Sequence, residues 1–432
     1  MLLISLYNYF LDLLKKITFI LTLFFGIICC TTEEKNSIPD HLKDLENLII
    51  VQPNSEPAYT IDFIQTAEIE HSSATNSWFV DWSNEFWAFS GGDYWLAGLE
   101  VDDSGRIYVG NRAAHTIQVF DSDGTFLTET GGEGSGPGEY NGISGIKIHN
   151  NQLLAFDFLQ FRTTYYSLDP FNVTQVKNAY LSRTPDIEEL DGWFGNGYHL
   201  IDDERFLVRF INESANANVN SPQYNLGQIR PGRYYIINRE GRVVSEMLFE
   251  LKNVMNITAD TGGQHLWNLS PVPFLNQPLI SISDDGYIIS ANSDEPLIKM
   301  VDSNGESIRA FYIPMEKKTL TRDELLNLYN DVGKATEHLL QNAELPEKWP
   351  ALGDIITDDE NRLWVSTIPN GDSLIYEWLM LQDTGELIAT FKWPGNRSID
   401  KIKDGYLYSR ETDEETGLQQ VVRYRIEMTE EK

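Results

Sequence analysis

Short polar turns that open into alternating apolar strands recur along the chain. Each turn is rich in Asp, Asn, Gly or Glu, and a polar turn between two alternating runs is typical of a β-hairpin. Six such turns lie at 102–105, 149–151, 202–204, 284–286, 358–361 and 403–405. Most units carry a second turn of the same kind, at 121–124, 238–241, 302–305 and 383–386. Two hairpins per unit predict four strands in each.

Six repeats of four antiparallel strands predict an all-β fold, a six-bladed β-propeller whose blades surround a central channel. The predicted propeller covers 57–428. A further strand pattern at 59–69 precedes the first turn, and the last unit ends with 420–426 as its third strand. We therefore expect the N-terminal strand to complete the sixth blade, closing the ring and removing its open edges.

The segment between the fourth and fifth blades carries a helical pattern at about 319–343. Thr321 and Glu324 form a capping box, and apolar residues follow at helical spacing. The pattern predicts one helical insertion with a single apolar face, lying on the propeller as a partial lid. A mobile gate is the sharper alternative, because Gly333 would loosen the helix.

One stretch of the chain is similar to a known repeat. Tyr108-Val109-Gly110-Asn111 and the following segment 115–121 resemble the NHL repeat, and the glycine-rich segment 131–140 resembles the connector of six-bladed β-propeller lipoproteins related to it. The resemblance spans 96–157. It implies the propeller fold and an exported protein, and relatives of the NHL type also include lyases and lactone hydrolases with a metal ion at the channel.

The N-terminus is typical of an export signal. Lys15 and Lys16 precede twelve apolar or small residues at 17–28, which is shorter than the stretch of about 20 that spans a bilayer. The run stops at Cys29 and Cys30, and this ending resembles a bacterial lipoprotein signal, in which a cysteine becomes the lipidated first residue. We predict Cys30 as the lipidated residue, with Cys29 as the alternative.

These features divide the chain into a signal peptide at 1–29, a flexible tether at 30–56 and the propeller. The predicted location is the bacterial cell envelope, with lipid anchoring to the outer membrane. The acidic pair Glu33-Glu34 resembles the export tag of surface-exposed lipoproteins. An uncleaved signal anchor is the alternative to the lipoprotein signal.

Charge and cysteine content exclude several classes of function. The 432 residues include 33 Lys and Arg against 65 Asp and Glu, giving a net charge of −32. Such a chain repels phosphate backbones, so no nucleic-acid partner is predicted. Its two cysteines are Cys29 and Cys30. The propeller itself therefore has no disulfide framework, zinc–cysteine site or cysteine nucleophile.

Motifs for catalysis or cofactor binding are weak. The glycine-rich segment 131–140 lacks the Lys and the Ser or Thr that a phosphate loop needs, and a β pattern follows it. Its glycines are better explained as a tight crossing between blades. His149 and His199 are the only histidine pair worth testing as metal ligands, and surface or core positions are the alternative. No catalytic residue and no cofactor are predicted.

Long insertions and tryptophans concentrate on one predicted face. Turns between the first and second and between the third and fourth strands are short, whereas the long segments join the second to the third strand or one blade to the next. These long segments are 71–95, 181–197, 212–230, 252–278 and 314–350. Insertions on one face commonly mark the binding face of a repeat protein. We call this side the long-loop face and the opposite side the short-turn face.

Eight of the ten tryptophans fall in crossings between blades. Trp87, Trp193, Trp267 and Trp349 are predicted to bind a ligand, since indole rings suit sugar rings and peptide side chains. The alternative is that they cap the channel and fill gaps beneath the long loops.

The sequence thus predicts an exported, lipid-anchored propeller that binds a protein, peptide or glycan through its long-loop face without catalysis. Its membrane contact is through the lipid anchor only. A metal-dependent lyase or lactone hydrolase with its site at the channel mouth is a second hypothesis, because a fold alone does not determine function. A structural or assembly subunit of the envelope is a third.

Overall fold

A computed structural model describes most of the chain. The described residues are 38–53, 55–70, 96–112, 114–180, 187–212, 229–254, 257–259, 267–269, 274–329, 334–368, 375–412 and 419–430. The chain divides into two units, Met1–Leu45 and Glu46–Lys432. In the first unit the described part contains a single 3-10 turn, Asp40–Leu42. All the strands of the described residues lie in the second unit.

Six four-stranded antiparallel blades account for most of the second unit. Ahead of them in the sequence are β1 (Leu48–Ile50) and β2 (Tyr59–Glu70). Blade 1 contains β3 (Leu96–Val101), β4 (Ile107–Asn111), β5 (Thr116–Phe120) and β6 (Phe126–Gly131). Blade 2 contains β7 (Ile143–His149), β8 (Gln152–Asp157), β9 (Arg162–Leu168) and β10 (Phe171–Asn178). Blade 3 contains β11 (Trp193–Leu200), β12 (Arg205–Asn212), β13 (Ile229–Asn238) and β14 (Phe249–Val254).

The second half of the chain repeats the arrangement. A two-stranded ribbon, β15 (Ile257–Ala259) with β16 (Trp267–Leu269), lies between blades 3 and 4. Blade 4 contains β17 (Pro278–Ile282), β18 (Ile288–Asn292), β19 (Leu297–Val301) and β20 (Ser307–Tyr312). Blade 5 contains β21 (Leu352–Thr357), β22 (Leu363–Thr367), β23 (Ile375–Leu381) and β24 (Leu387–Pro394). Blade 6 contains β25 (Ser398–Lys403), β26 (Tyr406–Thr412), β27 (Gln419–Glu430) and the N-terminal β2.

The first strand of each blade faces the centre of the ring. Strand β3 contacts both β7 and β25, so blades 1 and 6 are neighbours. Strand β2 pairs antiparallel with β27 from Tyr59↔Glu430 to Glu70↔Gln420. The two ends of the folded unit therefore lie side by side in one sheet, and the predicted six-bladed fold is confirmed.

Middle strands are buried on both faces because each blade packs between two others. In β4, Ile107 and Val109 pack with Tyr408 and other residues of blade 6, whereas Tyr108 packs towards blade 2. All three are fully buried. Complete burial of one large apolar side chain is worth about 1.5–3 kcal/mol. This two-sided packing explains why these strands are continuously apolar in the sequence.

A strand within the predicted tether is ordered. Strand β1 pairs in parallel with β20, the outer strand of blade 4, over three residue pairs from Leu48↔Ala310 to Ile50↔Tyr312. Val51 follows it and is completely buried in the apolar core shared by blades 4 and 5. Residues 48–51 of the predicted tether are thus paired with blade 4 and packed into its core. We call residues 48–51 the N-terminal strap.

The predicted helix is two short helices, α1 (Arg322–Leu328) and α2 (Lys334–Asn342). Thr321 caps α1 as expected, since its hydroxyl accepts the N–H of Glu324 at 3.3 Å. Leu325 and Tyr329 are buried, as the apolar face predicts. No helix of the described residues is long and apolar enough to cross a bilayer.

Candidate functional site

Side-chain hydrogen bonds hold the turns of the short-turn face in place. Asp102 begins the first turn of blade 1 and accepts the N–H groups of Ser104 and Arg106, the Arg106 guanidinium at 3.1 Å and the Tyr108 hydroxyl at 2.9 Å. Burial alone would raise the pKa of Asp102, but the Ser104 and Tyr108 hydroxyls and the turn N–H groups lower it overall. The turn is therefore fixed around an ionised carboxylate. Asp358 of blade 5 is bonded in the same way.

Arginines tie neighbouring blades together on the same face. Each donates from one blade to a turn between the third and fourth strands of the next blade. The pairs are Arg106 with Leu168 O, Arg205 with Ser303 O, Arg309 with Asp383 O, and Arg423 with Ser122 O. The polar groups of these turns are therefore engaged in holding the ring together.

Charged residues also bridge the channel near this face. The Lys401 ammonium, on β25 of blade 6, lies 3.1 Å from a Glu100 carboxylate oxygen of blade 1 and 2.8 Å from one of Asp284 of blade 4. Lys147, on β7 of blade 2, donates to the carbonyl of Ser283 in blade 4 at 3.1 Å. We call Glu100, Lys147, Asp284 and Lys401 the channel-floor cluster. Its contacts join four blades across the ring.

Burial and neighbouring charges affect the two lysines in opposite directions. Burial would lower the pKa of Lys401, but Glu100 and Asp284 raise it above the usual range overall. The pKa of Lys147 is lowered, chiefly by burial, and the Lys401 cation lowers it further against the carboxylates nearby. The pKa of Asp284 is lowered, since Lys401 and Lys147 outweigh the effect of burial. Lys401 is therefore held charged, whereas Lys147 is more easily deprotonated.

Sequence reasoning missed this cluster although a signal was present. Glu100, Lys147 and Lys401 each stand two positions before the turn that ends the first strand of their blade, between apolar neighbours on at least one side. A charge at one repeat position in three blades predicts a meeting of side chains once the strands are known to surround a channel. This inference requires the order of the blades around the ring, and in the sequence only the repeated turns indicate that order.

One of the four tryptophans predicted to bind a ligand, Trp349, is buried. Trp349 is 3% exposed and packs edge-on against Phe274, with the ring centres 6.3 Å apart. Its indole N–H donates to Glu324 at 3.3 Å, and the Lys318 ammonium also pairs with that carboxylate. The burial of Trp349 favours the alternative that it packs beneath the long loops.

Trp349 belongs to an apolar cluster built by two long segments. Phe274 and Leu275 come from the crossing between blades 3 and 4, and the other members come from the crossing that contains α1 and α2. These other members are Leu320, Leu325, Tyr329, Leu340, Ala343 and Trp349. Helix α2 also contacts the β15–β16 ribbon. We call this the insertion cluster; it makes a small second layer on the long-loop face.

The other three tryptophans predicted to bind a ligand lie in different surroundings. Trp193 begins β11 and is half-buried, with the Arg233 guanidinium 4.2 Å from the centre of its ring. Trp267 begins β16 and its backbone pairs with Ala259. Trp87 lies outside the described residues, as do Cys29 and Cys30.

His149 and His199 do not form a metal site with other described residues. They lie on adjacent first strands, β7 and β11, where His149 pairs with Gln152 and His199 pairs with Leu207. Within the described ranges, no three His, Cys, Asp or Glu side chains come together in a way that could hold a metal ion.

The glycine-rich crossing between blades 1 and 2 surrounds an arginine. Arg162 is buried and donates to the carbonyls of Ser135, Gly136 and Glu139. Gly131 has φ +121°, and a Cβ there would lie 2.5 Å from the carbonyl oxygen of His115. A phosphate loop instead points N–H groups at its ligand. This segment is a structural crossing, as the sequence predicts.

Comparison with known proteins supports the fold. A family model described as "DUF5128: 6-bladed beta-propeller" matches residues 97–220. This chain is a six-bladed β-propeller. The propeller has no significant match among curated proteins.

Several solved structures are similar to the propeller. A proposed exported protein from Bacteroides fragilis has 12% identity, a TM-score of 0.44, and coverage of 88% of this chain and 99% of its own. A DUF4221 family member from Bacteroides vulgatus has 10% identity, a TM-score of 0.47, and coverage of 87% and 100%. A virginiamycin B lyase from Staphylococcus aureus has 9% identity, a TM-score of 0.35, and coverage of 85% and 99%.

Proposed function

We propose that the chain is an exported, lipid-anchored propeller that binds a protein, peptide or glycan through its long-loop face without catalysing a reaction. The observation that carries this proposal is the contrast between the two faces. The turns of the short-turn face accept hydrogen bonds from arginines of neighbouring blades. Near these turns, the channel-floor cluster bridges the channel. The long-loop face carries the insertions, two of which form a layer of their own.

The long-loop face also presents apolar side chains. Leu159, in the turn between β8 and β9, is 53% exposed, and Ile375, at the start of β23, is 42% exposed. Exposed apolar residues beside polar loops are common where proteins recognise partners. Val244, in the turn between β13 and β14 on the short-turn face, is 50% exposed and serves as a matched control.

Substitution of these residues tests which face binds. Soluble oligosaccharides and peptides would be screened by thermal shift, because a compound that binds only the folded state raises the melting temperature. We expect Leu159→Asp or Ile375→Asp to weaken the shift given by an active compound and Val244→Asp to leave it unchanged. Loss of the shift in Val244→Asp alone would place binding on the short-turn face and contradict the proposal.

The anchor requires a separate test. In cells fed a fatty-acid analogue, Cys30→Ala is expected to abolish labelling and release the chain from the membrane fraction, whereas Cys29→Ala is the matched control and should keep both. Labelling that survives Cys30→Ala and disappears in Cys29→Ala would move the lipidated residue by one position. Membrane retention of both variants without label would favour an uncleaved signal anchor.

A further inference from the structure

The N-terminal strap is held on blade 4 by a short set of contacts. Its backbone pairs in parallel with β20 from Leu48↔Ala310 to Ile50↔Tyr312, and the carbonyl of Tyr312 accepts the N–H of Val51 at 2.9 Å. Parallel pairing is slightly less stable per residue than antiparallel pairing. Elements with few contacts open locally at a lower free energy than the whole domain unfolds. We therefore expect the strap to leave blade 4 while the ring of blades stays folded.

Two side chains determine what fits against the edge of β20. Val51 is completely buried in the core shared by blades 4 and 5, and Ile49 packs against the same core. Ile49 also lies so close to Gly385, in a turn of blade 5, that a Cβ on this glycine would collide with it. Ile50 between them is 36% exposed. The edge of β20 and the Gly385 turn thus form a groove for an extended segment with aliphatic side chains at alternate positions, which we call the strap groove.

A separate connecting segment, 52–58, joins the strap to the sixth blade. Its exposed described residues are Gln52, Ser55, Glu56 and Ala58. Pro53 and Pro57 favour extended backbone in the residues before them. From Val51 to Tyr59 an extended chain spans at most about 28 Å. This length allows the strap to reach the strap groove of a second copy that lies directly alongside.

We propose that the strap exchanges between copies of this chain, so that the strap of one copy binds the strap groove of a second copy while β2 stays in its own ring. The strap is the occupant because its sequence is seated in this groove, with its backbone register and its two buried side chains in place. Each contact that is lost within a copy is regained between copies, which makes exchange of an identical element a common route to dimers. The exchange goes beyond the proposed binding function, since it uses a different surface.

Concentration determines how often the strap exchanges. Within one copy, a short connecting segment gives the strap an effective concentration on the order of 1 mM at its own groove. At about 10 µM chain in solution, about 1% of the straps would then be exchanged. Anchoring to a membrane confines the copies to one surface and raises this fraction. The increase depends on the proposed anchor, and the exchange itself does not.

Disulfide trapping tests the exchange on the full chain in detergent, with Cys29→Ser and Cys30→Ser so that no native thiol reacts. One chain would carry Ile50→Cys and a second Tyr312→Cys, because these residues are backbone partners. Ile64→Cys replaces Ile50→Cys in the matched control, since Ile64 on β2 is 42% exposed. We expect the 50–312 disulfide between chains to form about tenfold faster than the 64–312 disulfide, because pairing brings the two Cβ atoms within bonding reach. Equal rates overturn the proposal.

Two changes in the chain that carries Tyr312→Cys act in opposite directions on the same groove. Val51→Asp places a charge at a completely buried position, so this chain's own strap should leave its groove vacant. Trapping should then rise about tenfold or more, because burying an unpaired charge is costly. Adding Gly385→Ala to the same chain places a methyl group where Ile49 of the incoming strap must pack, and should reverse the rise. Trapping that responds to neither change overturns the proposal.

Hydrogen exchange in the unaltered chain provides a measurement without substitutions. The amide of Ala310 donates to the carbonyl of Asn47 beside the strap, whereas Ile289 lies on β18 inside the same blade. We expect the amide of Ala310 to exchange by local opening and that of Ile289 only with global unfolding. Equal protection of the two amides would mean that the strap does not open, which overturns the proposal. If Tyr312→Cys does not fold, Leu48→Cys and Ala310→Cys serve as the trapping pair.

The outcome is separable from the proposed function. Trapping uses chains without Cys30, so it does not depend on the lipid anchor, and Leu159→Asp should leave it unchanged while weakening ligand binding at the long-loop face. Trapping at the control rate, with ligand binding and membrane anchoring intact, would remove the exchange alone. Trapping that persists when anchoring or ligand binding fails would support the exchange and contradict only the proposed function.

Discussion

The amine of Lys401 lies 2.8 Å from a carboxylate oxygen of Asp284, although 117 positions separate the two residues in the sequence. The contact joins blade 6 to blade 4, which are not neighbours in the ring. Since Lys401 also contacts Glu100 of blade 1, its side chain connects two first strands, β25 and β3, with the turn that follows the first strand of blade 4. This end of the channel is thus held together by charge as well as by packing.

Removal of the Lys401 charge should destabilise the propeller. Lys401→Met leaves Glu100 and Asp284 without their shared cation, and breaking a buried ion pair from one side typically costs about 3–5 kcal/mol. Chemical denaturation followed by tryptophan fluorescence would measure the loss. Arg425→Met is the matched control, because the Arg425–Glu427 pair is half-exposed and such pairs contribute about 0–1 kcal/mol. Equal stability of the two variants would contradict this role of Lys401.

The channel-floor cluster also predicts the range of pH over which its ion pairs stabilise the propeller. The pKa of Asp284 is lowered from 3.8, so its contribution is present above pH 3.8 and is lost as the pH falls through the folded-state pKa. The pKa of Lys401 is raised from 10.5, so its contribution is present below pH 10.5 and is lost as the pH rises further. The free-energy difference between the unaltered chain and Asp284→Asn should be constant from pH 5 to 9 and shrink in stronger acid. A difference that grows in acid would reverse the sign of this argument.

Two tryptophans should respond differently to truncation. Trp349→Ala removes a packed ring from the insertion cluster and should cost about 3–5 kcal/mol of stability. Trp349→Phe keeps the aromatic contact with Phe274 and should recover most of that loss. Trp193→Ala removes a half-buried ring stacked under Arg233 and should cost clearly less. A Trp349→Ala variant with unaltered stability would contradict the burial described for this residue.

The N-terminal strap makes a steric prediction at Gly385. A Cβ on Gly385 would lie 2.3 Å from Ile49, and the residue has φ +83°. Gly385→Ala should therefore combine a backbone cost of about 1–2 kcal/mol with a clash against the strap. In a chain that begins at residue 57 the clash is absent, so the same substitution should cost only the backbone part. Equal costs in the two backgrounds would mean that Ile49 does not press on Gly385.

Stepwise shortening of the N-terminus separates the strap from the sixth blade. A chain beginning at residue 57 loses β1 and Val51 but keeps β2, and we expect it to fold and melt cooperatively at a lower temperature. A chain beginning at residue 71 loses β2 and exposes β27 along its length. This second chain is expected to aggregate or melt without a sharp transition, as calorimetry would show. Cooperative melting of the second chain would contradict the importance of β2.

Local rules account for much of the fold that the sequence predicts. The polar turns are visible because one carboxylate, such as Asp102 or Asp358, must bond several N–H groups of its own turn. The capping box at Thr321 can be recognised in the sequence because its side chain also bonds an N–H group of its own segment. The strap was not predicted, because three residues of parallel pairing leave no periodicity in the sequence. Its fixed position depends on the edge of blade 4 and on Gly385, which are far away in the chain.

The candidate site was predictable only in part. The long loops were identified because insertions interrupt a regular rhythm, but whether Trp349 faces solvent depends on Phe274, which comes from another crossing. Lys147 and Lys401 have few local features that distinguish them from surface lysines. Their burial follows from the closeness of first strands around the ring, a property of the complete assembly of blades.

The pairing of β2 with β27 also determines when the ring of blades can close during synthesis. Strand β2 has no partner until the residues near Thr429 have been synthesised. The hydroxyl of Thr60 donates to the carbonyl of Thr429, 369 positions away in the sequence. A chain whose synthesis stops before β27 therefore contains five complete blades and an unpaired β2. Under the export that we propose, this late step is useful, because the ring cannot close while its last strand is still on the side of synthesis.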